Sequence, residues 1–235
     1  MSNGICILAQ NNKTTNYVEQ TYALALSVLV NAPTTNISIM TNDIVPSNYK
    51  DVFDQIIPIP WGDAASKNDW KIDNRWKIYH KTPYENTIVF DADMLVLDDI
   101  TPIWSNLHNL SFTTNVKTYR NEPVTTRYYR KTFDENFLPE VYVGMYQFSK
   151  GREAHSFFKL LDVIMQNWQV FYKNYAPKSM QNWNSVDLSA AIALKILDSH
   201  NIALNNNSML SFTHMKPHAQ HFINVPSNWT DALSV

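Results

Sequence analysis

Glycine is scarce in this chain: 235 residues include only 4, against an average usage of roughly 7%. Loops that wrap a phosphate with their own backbone need glycine. Neither G-x-x-x-x-G-K-S/T nor G-x-G-x-x-G occurs, so P-loop and dinucleotide-fingerprint readings lose their main support. A nucleotide, if bound, would need a metal for its phosphates. The single cysteine, Cys6, lies in an apolar run and excludes an intramolecular disulfide framework or a cysteine-rich metal site. Charge of either sign is also lacking in excess. Lys plus Arg number 19 and Asp plus Glu 21, a formal net charge of −2, which gives no general attraction to nucleic acid or anionic membrane. Long apolar runs are missing too: the longest, Ala23 to Val30, is too short to span a bilayer. No basic segment followed by a long apolar one opens the chain. The expectation is a soluble, cytoplasmic protein.

What is present reads as alternating strands and helices. Ile5 to Ala9 is a short apolar run feeding the polar stretch Gln10 to Asn16, as a buried strand feeds a surface loop. Tyr17 to Val30 has helical spacing and stops at Asn31-Ala32-Pro33. Strands follow at Ile37 to Thr41 and Ile56 to Ile59, and a strand–loop–helix–strand unit favours a parallel sheet with helical crossovers. Asp69 to His80 reads largely as an amphipathic helix with basic positions, ended by Thr82-Pro83. Thr87 to Phe90 is β-branched and aromatic, the composition of a central strand. Further on, Tyr142 to Phe148 reads as a strand, and Ala154 to Trp168 and Val186 to Leu197 as helices. The fold class is α/β, a mixed but mostly parallel central sheet flanked by helices. Without an internal repeat or linker, residues 1–235 read as one domain.

The strand at 87–90 runs directly into Asp91-Ala92-Asp93, and open α/β sheets bind ligands beyond their strand ends. Two carboxylates separated by one small residue can reach a common divalent cation, and hard oxygen ligands suit Mn²⁺ or Mg²⁺. Such an ion bridging a diphosphate offsets charge as a sugar–phosphate bond breaks. The bland alternative treats Asp91, Asp93, Asp98 and Asp99 as solvated turn or cap residues.

The wider segment, Pro83 to Ile100, closely resembles the metal-binding core of glycogenin-like retaining glycosyltransferases: an apolar strand, Asp-Ala-Asp, an apolar stretch, then Asp with Ile. The resemblance implies a GT-A-type domain with a nucleotide-sugar-binding half at 1–110 and an acceptor-side half at 111–235. It implies transfer from a UDP-sugar donor with Mn²⁺ held by Asp91 and Asp93. A late histidine completes the metal ligands in that family, and Thr213-His214-Met215-Lys216-Pro217 looks like a shortened form of its context. By that resemblance His214 is the third ligand, with His218 and His221 as close rivals, and Lys216 holds the diphosphate. Ile7-Leu8-Ala9-Gln10-Asn11 followed by Tyr17 resembles the first strand and base-binding loop, which implies that Ala9, Asn11 and Tyr17 meet the nucleoside and Ala92 lies beside it. Tyr17 equally suits a core position at a helix start. Arg75 or Lys77 falls near the family's phosphate-side lysine, and a solvated helix face is the other reading of both.

Two departures from the family stand out. Tyr142-Val143-Gly144 replaces the polar strand that borders the sugar, and Asp187-Leu188 keeps the carboxylate of the family's Asp-Gln while losing the amide. Asp187 is then expected to orient the sugar, with Asp93 at the reacting end. The acceptor is left open among glycan, lipid, protein and modified nucleic acid. Residues 117 to 131 concentrate Lys117, Arg120, Arg127, Arg130 and Lys131 with three tyrosines, which suits either an acceptor-binding loop or an ordinary surface loop. Among seven tryptophans, Trp183, close to Asp187 in a polar stretch, is the expected sugar contact. Two rival functions also fit an Asp-x-Asp: a haloacid-dehalogenase-like phosphatase, with the first Asp as nucleophile, and a catalytically silent nucleotide- or sugar-binding module.

Overall fold

Strand β1, Asn3–Leu8, alternates Ile5 and Ile7 with Cys6, so both of its faces are apolar and both are covered. It leads to helix α1, Tyr17–Asn31, whose start is fixed by the Asn16 side chain accepting the Glu19 N–H at 3.2 Å. Strands β2 (Ile37–Met40) and β3 (Gln55–Ile57) follow, then the short helix α2 (Lys77–Lys81), strand β4 (Asn86–Asp91), β5 (Met94–Val96) and β6 (Leu110–Thr113). Helix α3 (Arg127–Glu135), strand β7 (Tyr142–Ser149) and helices α4 (Arg152–Gln166), α5 (Trp168–Tyr175) and α6 (Val186–Ile196) lead to a last short strand, β8 (Phe212–His214). The structure is a computed structural model that describes residues 2–67, 71–105, 108–113, 127–199 and 212–215.

Six strands form one sheet in the order β3-β2-β1-β4-β7-β6. The four from β3 to β4 are parallel, while β7 runs antiparallel to both of its neighbours. One face buries Ile5, Ile7, Ile39, Ile88 and Phe90 with Leu24, Ala25 and Val28 of α1. The other buries Cys6, Val89, Tyr146 and Phe148 with Phe157, Phe158 and Leu161 of α4 and the apolar face of α6. The parallel register sets Leu8 opposite Asp91, which brings the ends of β1 and β4 to one edge of the sheet. A second, two-stranded sheet lies there, with β5 antiparallel to β8.

The expected strands at 5–9, 37–41, 56–59, 87–90 and 142–148 are present with ends shifted by one or two residues. The expected helix at 69–80 is not: among its described residues only Lys77–Lys81 is helical, and 73–76 form turns. The buried Asn74 explains this, because its amide bonds to Gln10, Asp63 and the Ala64 N–H rather than lying on a solvated helix face. The helix expected at 154–168 breaks at Asn167, and α5 resumes from Trp168.

Cys6 is fully buried, and burial pushes its thiol up to about 12, offset only in part by a hydrogen bond with the Thr82 side chain. The thiolate is the reactive species. Alkylation by iodoacetamide at pH 8 is therefore expected to be slower by about tenfold or more in the native than in the urea-unfolded protein, because the thiol is both out of reach and held protonated. Equal rates for native and urea-unfolded protein would contradict this placement of Cys6.

Candidate active site

Asp91 ends β4 and Asp93 opens the turn into β5, so one strand end supplies both carboxylates. Neither is a solvated turn residue: Asp93 is 2% exposed and the Asp91 side chain 12%. Ala92 between them is buried. Asp99, in contrast, accepts the Thr101 N–H and hydroxyl at 2.8 and 2.7 Å, so the bland cap reading holds for it.

Asp91 is paired with the guanidinium of Arg75. Burial works against the charge on Arg75, but Asp91 beside it outweighs burial and raises the pKa of the guanidinium. Arg75 also lies 3.5 Å from the Val143 carbonyl. The neighbouring N–H of Val143 donates to Asp187 Oδ1 at 2.8 Å. Asp187 occupies the first turn of α6, which the Ser185 side chain caps. The backbone of Val143 thus ties the start of α6 to Arg75, and Arg75 is tied in turn to Asp91. Lys77 is committed elsewhere: its ammonium donates to the Gly62 carbonyl at 2.6 Å, and burial lowers its pKa against the opposing charges of Asp63 and Asp162.

Val143 is available for this because β7 bulges. Phe112 of β6 pairs with Tyr146, whereas the next residue, Thr113, pairs with Tyr142. Residues 143–145 therefore have no opposite number on β6, a device that re-aims side chains beside functional sites. The Thr113 hydroxyl bridges the bulge, reaching the carbonyls of Tyr142 at 3.2 Å and Met145 at 3.0 Å. The Tyr142 ring folds over Gly144, where an added Cβ would fall 2.1 Å from the phenol carbon and oxygen. Burial first, and then the charges of Asp91, Asp93 and Asp187, raise the Tyr142 phenol well above its ordinary pKa, while Arg75 opposes them. Tyr142 thus shares one electrostatic enclosure with all three carboxylates and Arg75. The sequence marked Tyr142 only as a departure from a pattern, because nothing in strand periodicity signals a three-residue bulge.

Ala9 is buried, and its N–H reaches the Met40 carbonyl at 3.0 Å. Asn11 fixes the loop after β1: its side chain accepts the Val18 N–H at 3.0 Å, and its own N–H donates to Asp43 at 2.7 Å. Tyr17 packs half-buried against the α1 side of the core. Asp43 and the buried Gln10, which accepts from Asn74 at 2.8 Å, shape this edge without having been anticipated. In the two-stranded sheet His214 pairs with Met94, and the Met215 N–H bonds to the Asp93 carbonyl at 2.7 Å. The backbone of His214 is thereby fixed one register position from Asp93. Lys216, His218 and His221 lie outside the described residues, as does most of the 117–131 segment, of which residues 127–131 open α3. Lys131 there pairs with Glu135 at 2.9 Å. Trp183 is 56% exposed, two residues before the cap of α6.

No protein-family model and no curated protein sequence matches the chain. Solved structures do. The galactosyltransferase LgtC in complex with donor and acceptor sugar analogs is 14% identical, with 86% of this chain and 73% of that chain covered and a TM-score of 0.53. An active-site mutant of LgtC gives 14%, 98% and 95% with a TM-score of 0.56. Mouse xyloside xylosyltransferase 1 gives 11%, 88% and 85% at 0.51. The fold is that of the GT-A glycosyltransferases. This chain spans 46% of the Streptococcus pneumoniae glycosyltransferase GlyE, at 10% identity and a TM-score of 0.50. In the GT-A sheet seen here the Asp-x-Asp closes β4, at the centre, with a strand on either side.

Asp187 has a structural duty that separates from any chemical one. Asp187→Ala leaves the buried Val143 N–H without its acceptor and is expected to cost about 1–3 kcal/mol. Asp187→Asn keeps an acceptor oxygen and should recover most of that. Urea unfolding of both variants checks this, and an alanine variant as stable as the asparagine one would show that the Val143 contact contributes nothing.

Proposed function

We propose that this protein is a glycosyltransferase that passes a sugar from a nucleotide-sugar, most simply a UDP-sugar, to an acceptor. The observation that carries the reading is the Asp91-Ala92-Asp93 turn at the centre of a GT-A sheet, buried rather than solvated and braced by Arg75. The donor set fits a hard divalent cation: two carboxylates from one turn, with the backbone of His214 one register position from Asp93. Asp91, Asp93 and His214 would hold Mn²⁺ or Mg²⁺. When bound, the ion supplies Lewis-acid stabilisation of the departing diphosphate.

The remaining tasks belong to the chain. Arg75 holds Asp91 in place through their ion pair, and adds fixed positive charge where a diphosphate would lie. Lys216 is assigned to the same diphosphate, and Lys77, fixed on Gly62, is not. The loop after β1, with Ala9, Asn11 and Tyr17, faces the nucleoside. Asp187 orients the donor sugar and Tyr142 closes one side of its pocket, so the ring sits among carboxylates and a phenol instead of amides. The transfer is assigned retention of configuration from the same resemblance. LgtC is described with donor and acceptor sugar analogs, which supports a two-substrate site of this kind. No helix among the described residues is long and apolar enough to cross a membrane.

The test is nucleotide release from a panel of UDP-sugars and one GDP-sugar, with and without Mn²⁺. One UDP-sugar is expected to be hydrolysed slowly in a Mn²⁺-dependent way, and Asp93→Ala to lower that rate by about 10²-fold or more, the worth of a few kcal/mol of charge stabilisation. In the same samples UDP with Mn²⁺ should raise the unfolding temperature, since a ligand at 100 times its Kd adds about 2.7 kcal/mol. Stabilisation without turnover would favour a silent binding module. The absence of both turnover and stabilisation would overturn the nucleotide-sugar reading and reopen the phosphatase one.

A further inference from the structure

Trp61 is the most conspicuous side chain that the proposed site does not use. It is 66% exposed, and its backbone is left-handed, with φ 56°, followed by Gly62 at φ 76°. A bulky residue with positive φ is a true outlier, and such strain persists only where the surroundings impose it. Here the surroundings are plain. The Gly62 carbonyl is gripped by the ammonium of Lys77, a residue 2% exposed. Asp63, next in the chain, accepts the Asn74 amide at 2.6 Å and the Ala65 N–H at 2.8 Å.

The same clamp sets the ring. Trp61 stacks on Trp76, with centroids 5.7 Å apart and planes 13° from parallel, and His80 meets both indoles edge-on at 5.4 and 5.6 Å. One face of the Trp61 indole is covered by Trp76, while the side chain as a whole stays largely in water. Trp76 follows Arg75 in the chain, so the stack is anchored to the residue that braces Asp91. Polar groups border it: the Lys77 ammonium lies 5.7 Å from the centre of the Trp76 ring, and His80 stands edge-on to both indoles.

We infer that the Trp61 indole is a glycan platform, taking one pyranose ring of an acceptor oligosaccharide outside the transfer site. The apolar face of a pyranose matches an indole in size and chemistry, while its rim of hydroxyls suits the polar border. An aromatic ring with a wet edge is the side chain for such a half-apolar surface. A folded protein partner fits less well, because a stable interface needs about 800 Å² on each side and one tryptophan offers about a quarter of that. The inference rests on the glycosyltransferase reading for the class of occupant. It replaces Trp183 as the expected sugar contact, because Trp61 has a built, clamped support.

The test uses cellohexaose, chitohexaose and maltohexaose, titrated without nucleotide into ¹⁵N-labelled protein while the indole N–H signals are followed. The Trp61 signal is identified by its loss in Trp61→Ala. At least one hexasaccharide is expected to shift that signal saturably, and Trp61→Ala to weaken its binding at least tenfold. Trp61→Gly, which suits the left-handed backbone, serves as a second variant of assured geometry and should show the same loss. Asp93→Ala should abolish stabilisation by UDP with Mn²⁺ yet keep the glycan affinity, so failure of the donor reading and failure of the platform are separately visible. Flat titrations with all three sugars, or unchanged affinity in both Trp61 variants, would overturn the platform.

Discussion

Arg75 is the piece on which the candidate site turns. Two carboxylates from one turn are placed at a buried sheet edge, where a charged group is costly unless an opposite charge is paired with it. Arg75 supplies that charge for Asp91, and its approach to the Val143 carbonyl carries the constraint onward. The N–H of Val143 then holds Asp187. Four groups from the 71–76 turns, β4, β7 and α6 are thus linked through one guanidinium and the backbone of one residue, Val143. Because each is tied to another, none can shift without leaving a buried polar group unmatched, which is costly in a low-dielectric setting.

The bulge in β7 is what allows this linkage. Val143 is one of the three residues of β7 that have no opposite number on β6. Thr113 instead spans the irregularity with its side chain, leaving Val143 to Arg75 and Asp187. The scarcity of glycine acquires a meaning here, since Gly144 is one of only 4 and sits where the Tyr142 ring leaves no room for a Cβ.

Much of this was legible in the sequence, and the part that was not has physical causes. Strands buried on both faces announce themselves as β-branched runs, and so β1, β2 and β4 were readable, as was the Asp pair at the end of β4. The segment 71–76 misled because its alternation of aromatic and basic residues imitates an amphipathic helix. Its conformation is decided by Asn74, whose partners Gln10 and Asp63 are remote in sequence. Lys77 read as an alternative to Arg75 beside the phosphates because its charge is visible in the sequence, while the Gly62 carbonyl that its ammonium meets is not. Short strands such as β5 and β8 carry too few residues for a period to show. Only their pairing defines them.

That pairing has a consequence for how the molecule breathes. Met94 and His214 are joined across about 120 residues of chain, a loop whose closure entropy is large but grows only slowly with length. The short strand β8 is held at its ends by buried Phe212 and Met215, far less than what holds β1 or β4. Short, lightly anchored strands of this kind are where sub-global opening occurs, below the free energy of full unfolding and with the main sheet intact. Such an opening would carry His214 away from Asp93 and leave the two aspartates behind, so that this corner of the sheet edge can loosen without any motion of the core.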